Sequence, residues 1–156
     1  MDSGKKTINH VEIRKILPVQ DGYRMPGEYE PHRGCILIWP ERPGSWRNGA
    51  REAKKAFADV IRAIAKSEEV YLAASGKTFS EAEKLAQRLQ TDEALYPIRV
   101  FTAETDDAWA RDVGPTFVTD GQEVRGINWE FNAWGGTEDG PVSYTHLRAH
   151  ETDSYL

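Results

Sequence analysis

Four acids, Glu104, Asp106, Asp107 and Asp112, fall within nine residues of one another, interrupted by Trp109 and Arg111 and closed by Gly114-Pro115. Carboxylates set beside an aromatic wall are how proteins hold a guanidinium or ammonium group, through paired hydrogen bonds and ring stacking. A solvated acidic loop is the plain alternative. The interleaving speaks for chemistry: an indole three residues before Asp112 and a guanidinium directly beside it offer an apolar wall and a charge partner. Spacing alone leaves both open. Arg111 reads as a structural ion-pair partner of Asp107 or Glu104. Downstream, Trp129, Phe131 and Trp134 end in Gly135-Gly136 with the polar Asn132 among them, a cluster that suits either core or a cleft-facing turn.

Other reactive residue types carry less. Cys35 sits inside the apolar run Cys35-Ile36-Leu37-Ile38-Trp39, where burial raises a thiol pKa and makes it inert, so it reads as structural. His32, in a turn bounded by Pro31 and Gly34, reads the same way. His146, His150 and Glu151 lack the H-E-x-x-H order and a third ligand. No phosphate-binding loop, no G-x-G-x-x-G and no G-x-S-x-G elbow occurs, so nucleotide binding and serine hydrolysis have no support. A glycosidase using Asp107 and Asp112 as its two carboxylates would rest on composition alone.

The elements that must position these residues alternate. Cys35–Trp39 reads as a buried strand ended by Pro40. A helix is expected from an Asn48 N-cap, with Ala53, Ala56, Phe57, Val60, Ile61 and Ile64 along one face. Glu69–Ala74 reads as a second strand ended by Ser75-Gly76. Thr78 to Glu81 has capping-box form, opening a helix with Ala82, Leu85, Ala86 and Leu89 inward. Tyr96–Thr102 reads as a third strand, and 103–112 as a functional loop without clean periodicity. Pro115–Thr119 and Glu123–Ile127, joined by Asp120-Gly121, read as a β-hairpin. The opening 34 residues are polar and broken by Pro and Gly. The class is α/β.

Composition sets the outer limits. The 156 residues are 39% hydrophobic and 29% charged, as in an ordinary soluble domain. Twenty basic against 25 acidic residues leave a net charge of −5, which disfavours nucleic acid and favours cationic ligands. One cysteine cannot make an internal disulfide or a multi-cysteine zinc site, which suits a reducing compartment. The longest apolar run is far short of the ~20 residues a bilayer demands, and Met1 to Lys6 leads into no secretory apolar stretch. A cytoplasmic location without membrane contact is expected.

Four blocks then stand out in order: Met25-Pro26-Gly27-Glu28-Tyr29-Glu30-Pro31-His32; Ile38 to Pro43 with Trp46-Arg47; Asp106-Asp107-Ala108-Trp109-Ala110-Arg111-Asp112-Val113-Gly114-Pro115-Thr116-Phe117; and Asn128-Trp129 through Asn132-Ala133-Trp134-Gly135-Gly136. From about Asp21 to Gly140 the chain resembles the agmatine deiminases of the bacterial-type peptidylarginine deiminase family. The resemblance implies part of a pentein, a five-bladed α/β propeller, with about two blades present. It implies hydrolysis of agmatine to N-carbamoylputrescine and ammonia, on a route to putrescine, by a cysteine thiolate with no metal or organic cofactor. By position, Asp112 is similar to the catalytic, guanidinium-binding aspartate, Trp109 to the tryptophan lining the substrate channel, and Arg111 to their structural support; Asp107, from the same acidic run, is a further candidate for substrate binding. A small cationic guanidine is the implied partner, and the full-length protein has room to be a homo-oligomer.

The resemblance also implies what is missing. The family's nucleophilic cysteine lies near the far C-terminus and its catalytic histidine and glutamate in the middle of a chain more than twice this length. Cys35 matches a strand position and is no substitute. Residues 1–140 therefore read as the N-terminal part of the catalytic domain, inactive alone, and 141–156 as a non-native tail resembling translated adapter sequence. The competing possibility is a non-catalytic module binding cationic or sugar ligands through Trp109, Trp129 and Trp134.

Overall fold

A computed structural model describes residues 17–91, 94–105 and 107–127. The expectations for Asp106, Trp129, Phe131, Asn132, Trp134, His146, His150 and the 141–156 tail lie outside these residues. The described residues form two compact units, 31–114 and 17–30 with 115–127.

The larger unit alternates strand and helix: β1 (Gly34–Ile38), α1 (Arg51–Ile64), β2 (Glu69–Ala74), α2 (Phe79–Leu89), β3 (Ile98–Thr102) and the single turn α3 (Ala110–Val113). Its three strands are parallel in the order β1-β2-β3, with Leu37 opposite Leu72 and Leu72 opposite Val100. β2 coincides with the expected strand, and its period of two divides the core. Val70, Leu72 and Ala74 pack with Ile61, Ala65, Ala82 and Leu89, so α1 and α2 cover one face of the sheet. Ala73 with Ile38 meets Val113, Phe101 and Ala108 on the other. Both faces are thereby closed, and α/β is the observed class.

Two helix starts differ from expectation. Asn48, Gly49 and Ala50 all adopt left-handed backbone (φ 54°, 63° and 61°), and α1 begins only at Arg51 with no side-chain cap. Asn and Gly tolerate that region and so reverse the chain before the helix, which takes Asn48 away from the N-cap position. The inner face of α1 is also turned by about one residue: Phe57, Ala58, Ile61, Ile64 and Ala65 pack inward, while Val60 is 46% exposed. At α2 the stripe Ala82, Leu85, Ala86, Leu89 is as expected. The capping box is not formed, because the Thr78 hydroxyl donates to Glu41 Oε2 at 2.8 Å instead.

α3 interrupts the expected loop and stops at Gly114. The Gly114 amide donates to the Ala110 carbonyl at 2.9 Å, and a Cβ there would lie 2.5 Å from that oxygen. Only glycine permits this approach, and Pro115 then forbids further helix.

In the smaller unit β4 (Thr116–Thr119) pairs antiparallel with β5 (Val124–Ile127). The connection is four residues, 120–123, rather than a two-residue Asp-Gly turn. Asp120 Oδ1 accepts the Gln122 and Glu123 amides at 2.8 Å each, and only Gly121 takes positive φ (94°). Arg24 and Thr119 exchange backbone hydrogen bonds at 2.9 Å. The Arg125 guanidinium lies 3.9 Å from the centroid of the buried Tyr23 ring.

Candidate functional site

Three parallel strands bring all their carboxyl ends to one edge, the place where open α/β sheets bind ligands. The segments leaving that edge are 39–46 after β1, 75–78 after β2, and 103–105 with 107–109 after β3. Each pair of segments is joined through a carboxylate. Glu41 Oε2 accepts Ser75 Oγ at 2.7 Å and Thr78 Oγ1 at 2.8 Å, linking the first to the second. Glu104 Oε1 accepts the Gly76 amide at 2.9 Å, linking the second to the third.

Asp107 links the third to the first. It is 4% exposed. Its Oδ1 accepts Trp46 Nε1 at 3.2 Å and the Ala108 amide at 2.8 Å, and its Oδ2 accepts Ser45 Oγ and faces Arg42 Nη1 at 3.5 Å. A carboxylate has about four lone-pair sites. All four here point at this chain's own donors, so Asp107 fastens the loop and presents no open acceptor to a substrate nitrogen. Arg42 supplies the cation at Asp107. The sequence offers Arg111 as a partner of Asp107 or Glu104 and does not by itself single out Arg42, Ser45 or Trp46. The available signal was their clustering just after the strand-ending Pro40.

The exposed groups lie beside this clasp. Trp109 is 48% exposed and stacks on Trp46, ring centroids 6.0 Å apart and planes at 30°. Trp46 is thus held by its nitrogen on Asp107 and by its face on Trp109. Asp112 is exposed on α3, and its amide donates to the Trp109 carbonyl at 3.0 Å. Trp109 and Asp112 thus belong to one turn, three residues apart. Among the described residues, no hydrogen bond or ion pair engages the Asp112 carboxylate. An unengaged carboxylate beside an exposed indole can grip a guanidinium by paired hydrogen bonds and stacking. Arg111 is exposed on the same turn.

Cys35 stands at the other end of the sheet. Burial, then the neighbouring Glu68, pushes its thiol pKa up, the condition of an inert thiol rather than an attacking one. Among the described residues, no helix is long and apolar enough to cross a membrane.

Residues 24–153 match the family of Porphyromonas-type peptidyl-arginine deiminases. The agmatine deiminase of Pseudomonas aeruginosa is 49% identical over 124 residues, which is 79% of this chain and 32% of that protein. That of Ectopseudomonas mendocina is 47% identical over 124 residues, with the same shares. A solved structure described as agmatine deiminase of Enterococcus faecalis catalyzing its reaction superposes with a TM-score of 0.65 at 42% identity, covering 76% of this chain and 31% of that one. The chain spans about a third of the length of the curated relatives it matches.

Proposed function

Because the chain belongs to the Porphyromonas-type peptidyl-arginine deiminase family, we propose that it is the N-terminal part of an agmatine deiminase, which hydrolyses agmatine to N-carbamoylputrescine and ammonia. One observation carries the assignment to these residues: the unengaged Asp112 carboxylate sits one turn from the exposed Trp109, at the carboxyl edge of a parallel sheet. Asp112 takes the N–H groups of the guanidinium, and Trp109, backed by Trp46, walls the channel. Asp107 positions that wall, and Arg111 supports the turn.

In this proposal a cysteine thiolate outside these residues adds to the guanidinium carbon and ammonia departs, leaving a thiouronium ester. Water then adds to the same carbon and the thiolate leaves, giving the ureido product. A histidine, also from elsewhere in the full-length enzyme, protonates the ammonia and activates the water. The chain is then about two blades of a pentein propeller, inactive alone. The full-length enzyme is cytoplasmic, serves putrescine formation and has room to be a homo-oligomer.

The test is a chimera in which residues 24–127 replace the matching segment of the Pseudomonas aeruginosa enzyme. It should release N-carbamoylputrescine from agmatine, and Asp112→Asn should lower kcat/KM by about 10²–10³-fold, the usual cost of removing a group aimed at developing charge. A folded chimera that prefers peptidyl-arginine, or an Asp112→Asn chimera with undiminished turnover, overturns the assignment. The 156-residue chain alone should give no product; turnover above background would show that the reactive groups are already within it.

A further inference from the structure

At the amino edge of the sheet, opposite the candidate site, three ligand types converge that no part of the proposed reaction uses. The ring nitrogens of His32, the Cys35 sulfur and the Glu68 carboxylate offer one atom each, all within 4.8 Å of one another. We propose that His32, Cys35 and Glu68 form a binding site for a divalent transition metal of the zinc class.

The backbone builds this convergence. Gly34 pairs with Glu69 at the start of β1 and β2, and the Glu69 amide donates to the Arg33 carbonyl at 3.3 Å. A Cβ on residue 34 would lie 2.5 Å from the Glu69 carbonyl oxygen. Glycine therefore lets the two strand starts close together, which brings Cys35 and Glu68 side by side. His32 reaches over from the preceding turn.

Burial then distinguishes the cluster from an ordinary surface group. Glu68 Oε2 is shut off from solvent and accepts no properly directed hydrogen bond, an arrangement that costs free energy unless a positive partner is present. His32 Nδ1 lies against it, and that contact is an ion pair only while the imidazole is protonated. A metal ion serves both groups with the imidazole neutral. The His32 side chain is 53% exposed, which leaves an approach for the ion and a fourth position for water.

The donor set selects the metal. One nitrogen, one sulfur and one oxygen suit zinc or cobalt, whereas calcium and magnesium require oxygen ligands. Bonds of 2.0–2.3 Å in a tetrahedron put ligand atoms about 3.5 Å apart, so the observed cluster needs only side-chain adjustment, chiefly of the exposed His32. On binding, Cys35 gives up its thiol proton to solvent and forms the metal–sulfur bond. No electron is transferred. Two negative ligands balance the charge of the ion, which suits a partly buried position. The site is separate from the deiminase proposal and stands or falls without it.

The experiment uses the metal-free 156-residue chain under reducing conditions, titrated with Co²⁺. Thiolate-to-cobalt charge transfer in the near ultraviolet should rise to a 1:1 end point together with visible bands of four-coordinate cobalt, and Zn²⁺ should abolish both. Cys35 is the sole cysteine, so the charge-transfer band reports this residue alone, and Cys35→Ser should remove it. His32→Ala and Glu68→Gln should each weaken binding by more than about tenfold, the least that even an outer-shell partner contributes. His146→Ala with His150→Ala should leave the titration unchanged. Zn²⁺ should also slow alkylation of Cys35 in the wild type and not in His32→Ala, a variant at an exposed position that does not threaten folding. Absence of the band at saturating Co²⁺, or a band that persists at unchanged affinity in His32→Ala, overturns the proposal.

Discussion

Removing the Asp107 carboxylate should unlatch the candidate site while leaving the sheet intact, and two substitutions separate the reasons. Asp107→Ala deletes the acceptor for Trp46 Nε1, the Ala108 amide and Ser45 Oγ. A hydrogen bond to a charged group contributes about 1.5–3 kcal/mol net. Ser45 is exposed and exchanges its bond for water, and Arg42, at 3.5 Å and a third exposed, adds little. The two sheltered bonds then set the loss at about 3–6 kcal/mol. Asp107→Asn keeps an oxygen for Trp46 and Ala108 and gives up only charge and one acceptor, so it should cost about 1–2 kcal/mol. The assay is urea unfolding followed by far-ultraviolet circular dichroism, alongside the exciton couplet of the stacked Trp46–Trp109 pair. Trp109→Phe defines the spectrum without the couplet. The couplet should vanish in Asp107→Ala and persist in Asp107→Asn. Equal costs for the two variants within about 0.5 kcal/mol, or a couplet that survives in the alanine variant, would refute the clasp.

Two further outcomes follow from local geometry. The Arg24 guanidinium on both Glu30 oxygens at 2.7 Å, helped by the Gly27 amide, holds the Glu30 pKa down at about 2 against an ordinary 4.5. A depressed carboxylate stabilises the fold fully above its unfolded value, so this contribution should be complete above pH 4.5 and fade as pH falls towards 2. Carbon-13 titration of the Glu30 carboxyl checks it: Arg24→Ala should return the midpoint to the ordinary range, and an unmoved midpoint would be the contrary result. Gly34→Ala should cost about 1–3 kcal/mol, because the added methyl meets the Glu69 carbonyl at 2.5 Å. Gly44→Ala, whose Cβ comes no closer than 3.7 Å to Arg42 Nε, should change the urea midpoint little; similar shifts for the two would show that the strand starts can part freely.

What could be read from the chain alone was whatever local pattern determines. β2 is apolar on both faces and ends at Ser75-Gly76, so its limits were legible, as was the Ala82–Leu89 stripe of α2. Trp109 and Asp112 stand out by residue type alone, and their role in binding is the proposal made above. Long-range partners were not legible. Asp107 reads as a free acid until residues 61 to 65 positions upstream fold onto it, and Thr78 reads as a cap until Glu41, 37 positions away, claims its hydroxyl. The start of α1 was misplaced for a related reason. Left-handed backbone at three successive residues is a strained choice that surrounding packing must impose, and the buried Ala50 at its end marks that packing.

The common direction of the three strands has a consequence for how this molecule can change. β2 carries six residues, and at roughly 3.3 Å per residue its end residues stand about 17 Å apart. The two edges are served by different residues, His32, Cys35 and Glu68 at one and Trp46, Asp107 and Trp109 at the other. Substitutions at the two edges should combine additively. Inheritance can then revise ligand preference on one edge without renegotiating the other.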